Sequence, residues 1–150
     1  MPHQRSCAYI LGIVFPYGQK NLCIEWLDPR SKDRHLTGML IYKIFRADEW
    51  QALNDAGQTA GAPIDIADGF VHFSSAMQAQ ETAAKHFAGE DGLFLLAVDA
   101  ETLGDALKWE VSRNDALFPH LYRELRLSDV VWSEPLPLQD GAHVFPEAMK

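Results

Sequence analysis

Two short stretches hold the side chains best suited to chemistry. In Gly69-Phe70-Val71-His72-Phe73-Ser74-Ser75, alternation along an extended chain sets Phe70, His72 and Ser74 on one face and Val71 and Phe73 on the other. The second face is core. The first combines an aromatic ring, an imidazole and a hydroxyl. It then runs into Ser75-Ala76-Met77-Gln78, a capping box that opens a helix. Free backbone N–H groups and the positive helix end suit that junction to an anion such as a phosphate. His72 can orient a hydroxyl or move a proton near neutral pH. The bland alternative is a core histidine and a plain serine cap, both of which are common.

The second stretch is Phe118-Pro119-His120-Leu121-Tyr122. If extended, it points Phe118, His120 and Tyr122 one way, enough to line a pocket for a planar ring. The competing reading is a turn packed on the core, since Phe and Tyr are ordinary core residues. Glu110, opposite Trp109 in Lys108-Trp109-Glu110, is a candidate acid/base carboxylate or a solvated strand residue. Lys43 alternates with Tyr42 and Ile44, as the polar member of a buried strand or as an edge charge. His86 falls mid-helix and is expected at the surface. HExxH, CxxC, GxSxG, Walker and GxGxxG patterns are absent. The histidines at 72, 86, 120 and 143 lack zinc-ligand spacing, which argues against a metal site.

These residues need elements to hold them. Leu40 to Phe45 is rich in β-branched and aromatic residues and reads as a strand. Asp48 to Ala56 reads as a helix stopped by Gly57, with Trp50 and Leu53 at helical spacing. Residues 57–69 read as a loop with an extended piece around Ile64-Asp65-Ile66. Phe70 to Ser74 is a strand, and a helix runs from Ser75 to Gly89. Leu93 to Val98 is a continuous apolar run and reads as a central strand. A helical turn at Ala100 to Leu103, a strand at Lys108 to Ser112, a turn at Asn114-Asp115 and a late strand at Val130 to Trp132 follow. The proline-bearing end reads as extended and irregular. Strands outnumber helices without regular alternation, so the fold class is α+β.

The chain has 150 residues, 47% hydrophobic and 23% charged, with a net charge of −8. That is one domain with a real core, and a poor match for nucleic acid or an anionic membrane surface. No apolar run reaches the roughly 20 residues of a membrane-spanning helix. Residues 1–38 differ: their five basic and three acidic residues give +2, leaving −10 for the rest, and both cysteines, Cys7 and Cys23, lie there. The domain from 39 to 150 is thus free of cysteine, which suits a cytoplasmic setting. The compositional break favours Met39 as the true start, with 1–38 a start-site artefact. A loosely ordered extension and a targeting segment are the alternatives.

In combination, Asp68-Gly69-Phe70-Val71-His72-Phe73-Ser74-Ser75 with Gln78, Thr82 and His86-Phe87, then Lys108-Trp109-Glu110, then Phe118-Pro119-His120-Leu121-Tyr122, resemble a widespread bacterial family. It is catalogued as domain of unknown function number nine hundred and fifty-two. Ile41-Tyr42-Lys43-Ile44 fits it too. The resemblance covers 39–150 and none of 1–38. It implies an ADP-ribosyltransferase-like fold, a split and strongly bent β-structure with flanking helices and NAD in a cleft between its halves. The Val71-His72-Phe73-Ser74 strand is also similar to the His-x-Ser strand of tRNA 2′-phosphotransferases. Carried over, Lys43 belongs to the first cleft strand, His72 and Ser74 to the second, and Glu110 or His120 to the third element. The sequence departs from the family where Asn114-Asp115 replaces a usual Gly-Gly, and where Arg123-Glu124 replaces Gly-Pro and adds an Arg–Glu pair beside the pocket.

The resulting expectation is a domain that binds NAD or a related nucleotide. Lys43, His72, Ser74, Ser75, Phe118 and Tyr122 would hold the ligand, with Glu110 and His120 as catalytic candidates. ADP-ribosyl transfer or glycohydrolysis enters by fold analogy alone. The alternative is a non-catalytic small-ligand or protein-interaction module on the same fold.

Overall fold

A computed structural model describes residues 38–149. In chain order these form β1 (Leu40–Arg46), α1 (Ala47–Ala56), β2 (Gln58–Thr59), α2 (Pro63–Asp68), β3 (Val71–His72), α3 (Ala76–His86), β4 (Leu93–Asp99), β5 (Leu107–Val111), β6 (Leu117–Leu121), β7 (Leu125–Arg126), β8 (Val130–Leu136), β9 (Leu138–Gln139) and β10 (Ala142–His143). Short 3-10 turns fill several connections. The reading of residues 1–38 falls outside the described residues but for Gly38. The α+β class holds, with several antiparallel sheets and few helices.

Two three-stranded antiparallel sheets dominate. One has the order β1-β4-β8, the other β3-β6-β5. In the first, Ile41, Phe45, Leu96 and Val98 join one core cluster, while Tyr42, Ile44, Leu93, Leu95 and Ala97 join the other with Ala79 and Ala83 of α3. A strand buried on both faces cannot alternate apolar with polar. That is why Leu93 to Val98 reads as a solid apolar run, and β4 is indeed central.

The two sheets meet at one bridge. Tyr42 N–H donates to Ser74 O at 2.8 Å, and Ser74 N–H to Tyr42 O at 2.9 Å. Before that point β3 pairs with β6, Val71 opposite Leu121 and His72 opposite His120. Phe73 N–H still donates to Pro119 O at 2.9 Å. A hydrogen-bonded antiparallel pair exchanges two bonds, but Pro119 has no N–H to return. The ladder stops there, and the chain departs toward β1.

Several expectations are corrected. Residues 57–69 are not a loop with an extended piece: Pro63 to Asp68 is a helix. Pro63 starts it with a preset φ, and Gly69 at φ 82° ends it. Ile64 and Ile66 are 59% and 63% exposed, whereas Asp65 is 1% exposed, so apolar–polar alternation misleads here. Helix α3 ends at His86, three residues before Gly89. The late strand runs through Pro135 to Leu136, which its edge position permits. Beyond it, β9 and β10 form a hairpin whose turn holds Asp140 and Gly141 at positive φ. No helix among the described residues is long and apolar enough to cross a membrane.

Candidate functional site

Residues directly opposite in an antiparallel pair point to the same side. The His72–His120 pairing, and Lys108 opposite His120 with Glu110 opposite Phe118, therefore gather the polar faces of both stretches onto one side of the β3-β6-β5 sheet. The reverse side carries Val71, Phe73 and Leu121, all 2% exposed or less. Phe118 to Leu121 are all buried and lie in strand, not in a turn. Phe70 stacks on His120 at 4.3 Å between ring centroids and also touches the rings of His72 and Tyr122.

A cavity of about 570 Å³ opens between this face, β1, the start of α2 and the end of α3. Of the expected ligand and catalytic residues, Lys43, His72, Ser74, Phe118 and His120 line it. Ser75, Glu110 and Tyr122 do not. Ser75 is spent on the helix cap: its Oγ accepts from Gln78 N–H at 3.4 Å, and its N–H donates to Gln78 Oε1 at 2.9 Å. Glu110 stands behind the wall, accepting from His120 Nδ1 at 2.8 Å and from the Tyr122 hydroxyl at 2.9 Å. These two bonds, that of His120 first, hold the Glu110 carboxyl below the usual range. A carboxylate only accepts, so His120 carries its proton on Nδ1. Its Nε2 is left without a hydrogen bond among the described residues.

Sequence reasoning missed Asp65. Its carboxylate takes four donors: Lys43 Nζ and the Ala62 N–H on Oδ2, each at 2.6 Å, and the His72 N–H at 3.0 Å and Nδ1 at 2.7 Å on Oδ1. One buried side chain thereby ties β1, α2 and β3 together at the split. Burial alone would raise its pKa. The His72 hydrogen bond and the Lys43 charge outweigh that and keep it lowered. Gly61, at φ +102°, makes room for this carboxylate, for a Cβ there would collide with it. The signal in the sequence was weak: a lone aspartate between two isoleucines.

Arg113, Thr82 and His86 were also missed as a group. His86 is exposed, as expected, yet it lines the cavity with the other two. Gln78, Thr82 and His86 recur every four residues, a polar stripe on α3 that was legible. Arg113 donates from Nη1 to His86 Nε2 at 3.1 Å and from Nη2 to Thr82 Oγ1 at 3.0 Å, while Thr82 Oγ1 lies 3.2 Å from Ser74 Oγ. Nearby, Arg123 pairs with Asp129 at 2.7 Å, not with the Glu124 carboxylate as expected.

The cavity wall holds Lys43, Arg46, Arg113 and three histidines, and no aspartate or glutamate. In a chain of net charge −8 the lining itself carries no carboxylate, although Asp65, Glu49 and Glu90 pair with two of these cations from outside it. Among the described residues no cluster of three His, Cys, Asp or Glu is placed to hold a metal ion.

These residues lie in a segment with recognisable relatives. The model of the family described as "Protein of unknown function (DUF952)" matches residues 44–133, and the chain belongs to that family. It is similar to protein CC0527 from Caulobacter crescentus. The X-ray structure of that protein matches at 50% identity over 73% of this chain and 97% of that one, with a TM-score of 0.70. Its solution NMR structure matches at 52% identity over 69% and 90%, with a TM-score of 0.64. No curated protein matches.

Proposed function

We propose that the cavity binds an anionic small molecule with a planar ring, of the nucleotide class to which NAD belongs, on an ADP-ribosyltransferase-like fold. The observation that carries this reading is the cavity wall, lined by basic and imidazole side chains and by no carboxylate within an acidic protein. Such a wall concentrates anions where the low-dielectric surroundings strengthen each contact. Phe118 and the two facing histidines supply flat surfaces for a ring. The divergence of two antiparallel sheets from the Tyr42–Ser74 bridge is in keeping with a split, bent β-structure that takes its ligand in the crevice.

Binding is better supported than turnover. Cleaving a glycosidic bond to nicotinamide builds positive charge on the ribose, and a carboxylate on the wall would stabilise it. Glu110 reaches the cavity only through His120. A catalytic reading keeps one argument: His120 Nε2 is free to exchange a proton, with Glu110 fixing the ring from behind.

The test is thermal unfolding with millimolar NAD, ADP-ribose and uncharged adenosine. Ligand at a hundredfold excess over Kd adds about 2.7 kcal/mol to stability. NAD or ADP-ribose is expected to raise Tm well above any effect of adenosine. Stabilisation by neither overturns the reading.

A further inference from the structure

The obvious anion site, the α3 N-terminus, is taken by its own cap. Ser75 and Gln78 satisfy each other, and Gln78 Nε2 goes on to donate to Leu117 O at 2.8 Å. The charges on the wall can be sorted in the same way. Lys43 is matched by Asp65. Arg46 is matched by Glu90 at 2.9 Å and Glu49 at 3.6 Å. Arg113 has no carboxylate partner among the described residues. Its contacts are a hydroxyl, an imidazole and the Phe118 ring, over which its guanidinium carbon sits 4.9 Å from the centroid.

That guanidinium is held firmly. Arg113 opens a tight connection between β5 and β6 in which Ser112 N–H donates to Ala116 O at 2.9 Å and Ala116 N–H to Arg113 O at 3.1 Å. Asn114 and Asp115 follow at φ 55° and 58°, a conformation that side chains adopt at a cost. Two of the five guanidinium N–H groups are engaged and three are left. The His86 imidazole accepts on Nε2. Burial first, then the charges of Arg113 and Lys85, lower its pKa and favour the neutral ring.

We infer that Arg113, flanked by Thr82 and His86, is the anchor for a phosphate group in this cavity, either free or as part of a nucleotide. The inference rests on the reading that the cavity takes an anionic ligand. A tetrahedral oxyanion beside Arg113 receives charge-assisted N–H···O bonds from the unused donors of the planar fork. Thr82, accepting from Arg113 and in contact with Ser74, has its hydroxyl in place to join them. The one wall cation without a carboxylate partner among the described residues identifies where the ligand's charge sits, and the ring of that ligand falls on the side of His72 and His120.

The test is a titration of the full chain with inorganic phosphate, followed by ¹H–¹⁵N NMR, on the wild type, Arg113→Gln and Arg113→Lys. In the wild type, shifts should centre on Arg113, Thr82 and His86 and saturate. Arg113→Gln should weaken binding about tenfold or more, a loss of one charge-assisted contact, and Arg113→Lys should recover part of it. Shifts centred on Ser75 to Gln78, or equal affinity in Arg113→Gln, overturn the inference. The wild-type map alone decides the location if the glutamine variant fails to fold. Titrating NAD and ADP-ribose into the same samples separates the two readings. Phosphate bound at Arg113 with neither nucleotide binding refutes the nucleotide and leaves the anchor. Nucleotide binding untouched by Arg113→Gln refutes the anchor and leaves the nucleotide.

Discussion

Asp65 grips His72 twice on one oxygen, Oδ1, through the backbone N–H at 3.0 Å and the ring Nδ1 at 2.7 Å. The ring therefore cannot turn without losing its bond to the oxygen that also holds the backbone N–H of β3. Asp65 Oδ2 holds Lys43 on the facing sheet, so removing the carboxylate strands a buried ammonium. Asp65→Ala is expected to cost about 3–5 kcal/mol, the usual loss when one member of a buried pair is deleted. Urea unfolding measures it. A loss under about 1 kcal/mol would mean that the network is not structural.

The same carboxylate sets an acid limit. Its folded pKa lies below the ordinary 3.8, since the donors of His72 and Lys43 outweigh burial. A depressed carboxyl adds stability that is fully present above the unfolded pKa and fades as pH falls through the folded one. Stability should therefore drop below about pH 4, and Asp65→Asn should flatten that slope. The slope should not vanish, since Asp129, paired with Arg123, is also lowered. An unchanged slope in Asp65→Asn would remove Asp65 from the acid response.

Glu110 is expected to fix the His120 tautomer. Ring ¹⁵N shifts of the wild type at high pH should report the proton on Nδ1, held toward Oε2. Glu110→Ala should give a mixture of tautomers with little change in fold, as the carboxylate is partly exposed. The same mixture in the wild type would show that the 2.8 Å contact does not orient the ring.

Gly61→Ala should be among the worst single-methyl additions in the domain. At φ +102° the new Cβ collides with the Asp65 carboxylate. Left-handed strain alone costs about 1–3 kcal/mol, and displacing Asp65 adds to it. Gly57→Ala, at φ 76° with nothing near the added Cβ, should cost only the strain. Thermal melts of the pair separate strain from collision, and equal losses would discount the collision.

Local periodicity carried most of the strand positions and both polar stretches. Alternation in Phe70 to Ser74 and in Phe118 to Tyr122 told which side chains share a face. What alternation cannot supply is register, and it is register that sets His72 opposite His120. Asp65 was hidden because α2 buries its aspartate and exposes its isoleucines, the inverse of an ordinary amphipathic pattern. Its partner Lys43 is 22 residues away, beyond any local window. Asn114 and Asp115 stand at φ 55° and 58°, a left-handed conformation that glycine adopts at no steric cost. Arg113 was visible as a charge, but its lack of a carboxylate partner among the described residues shows only in three dimensions.

Pro119 ends the pairing of β3 with β6 where the crevice begins. Had residue 119 an amide hydrogen, the Phe73–Pro119 pair could exchange both bonds, and the pairing of β3 with β6 would extend by one rung. The pyrrolidine ring forbids that rung covalently, at every temperature and in every solvent. What the main chain lacks there is a single hydrogen, and past it Ser74 pairs with Tyr42 of β1 instead.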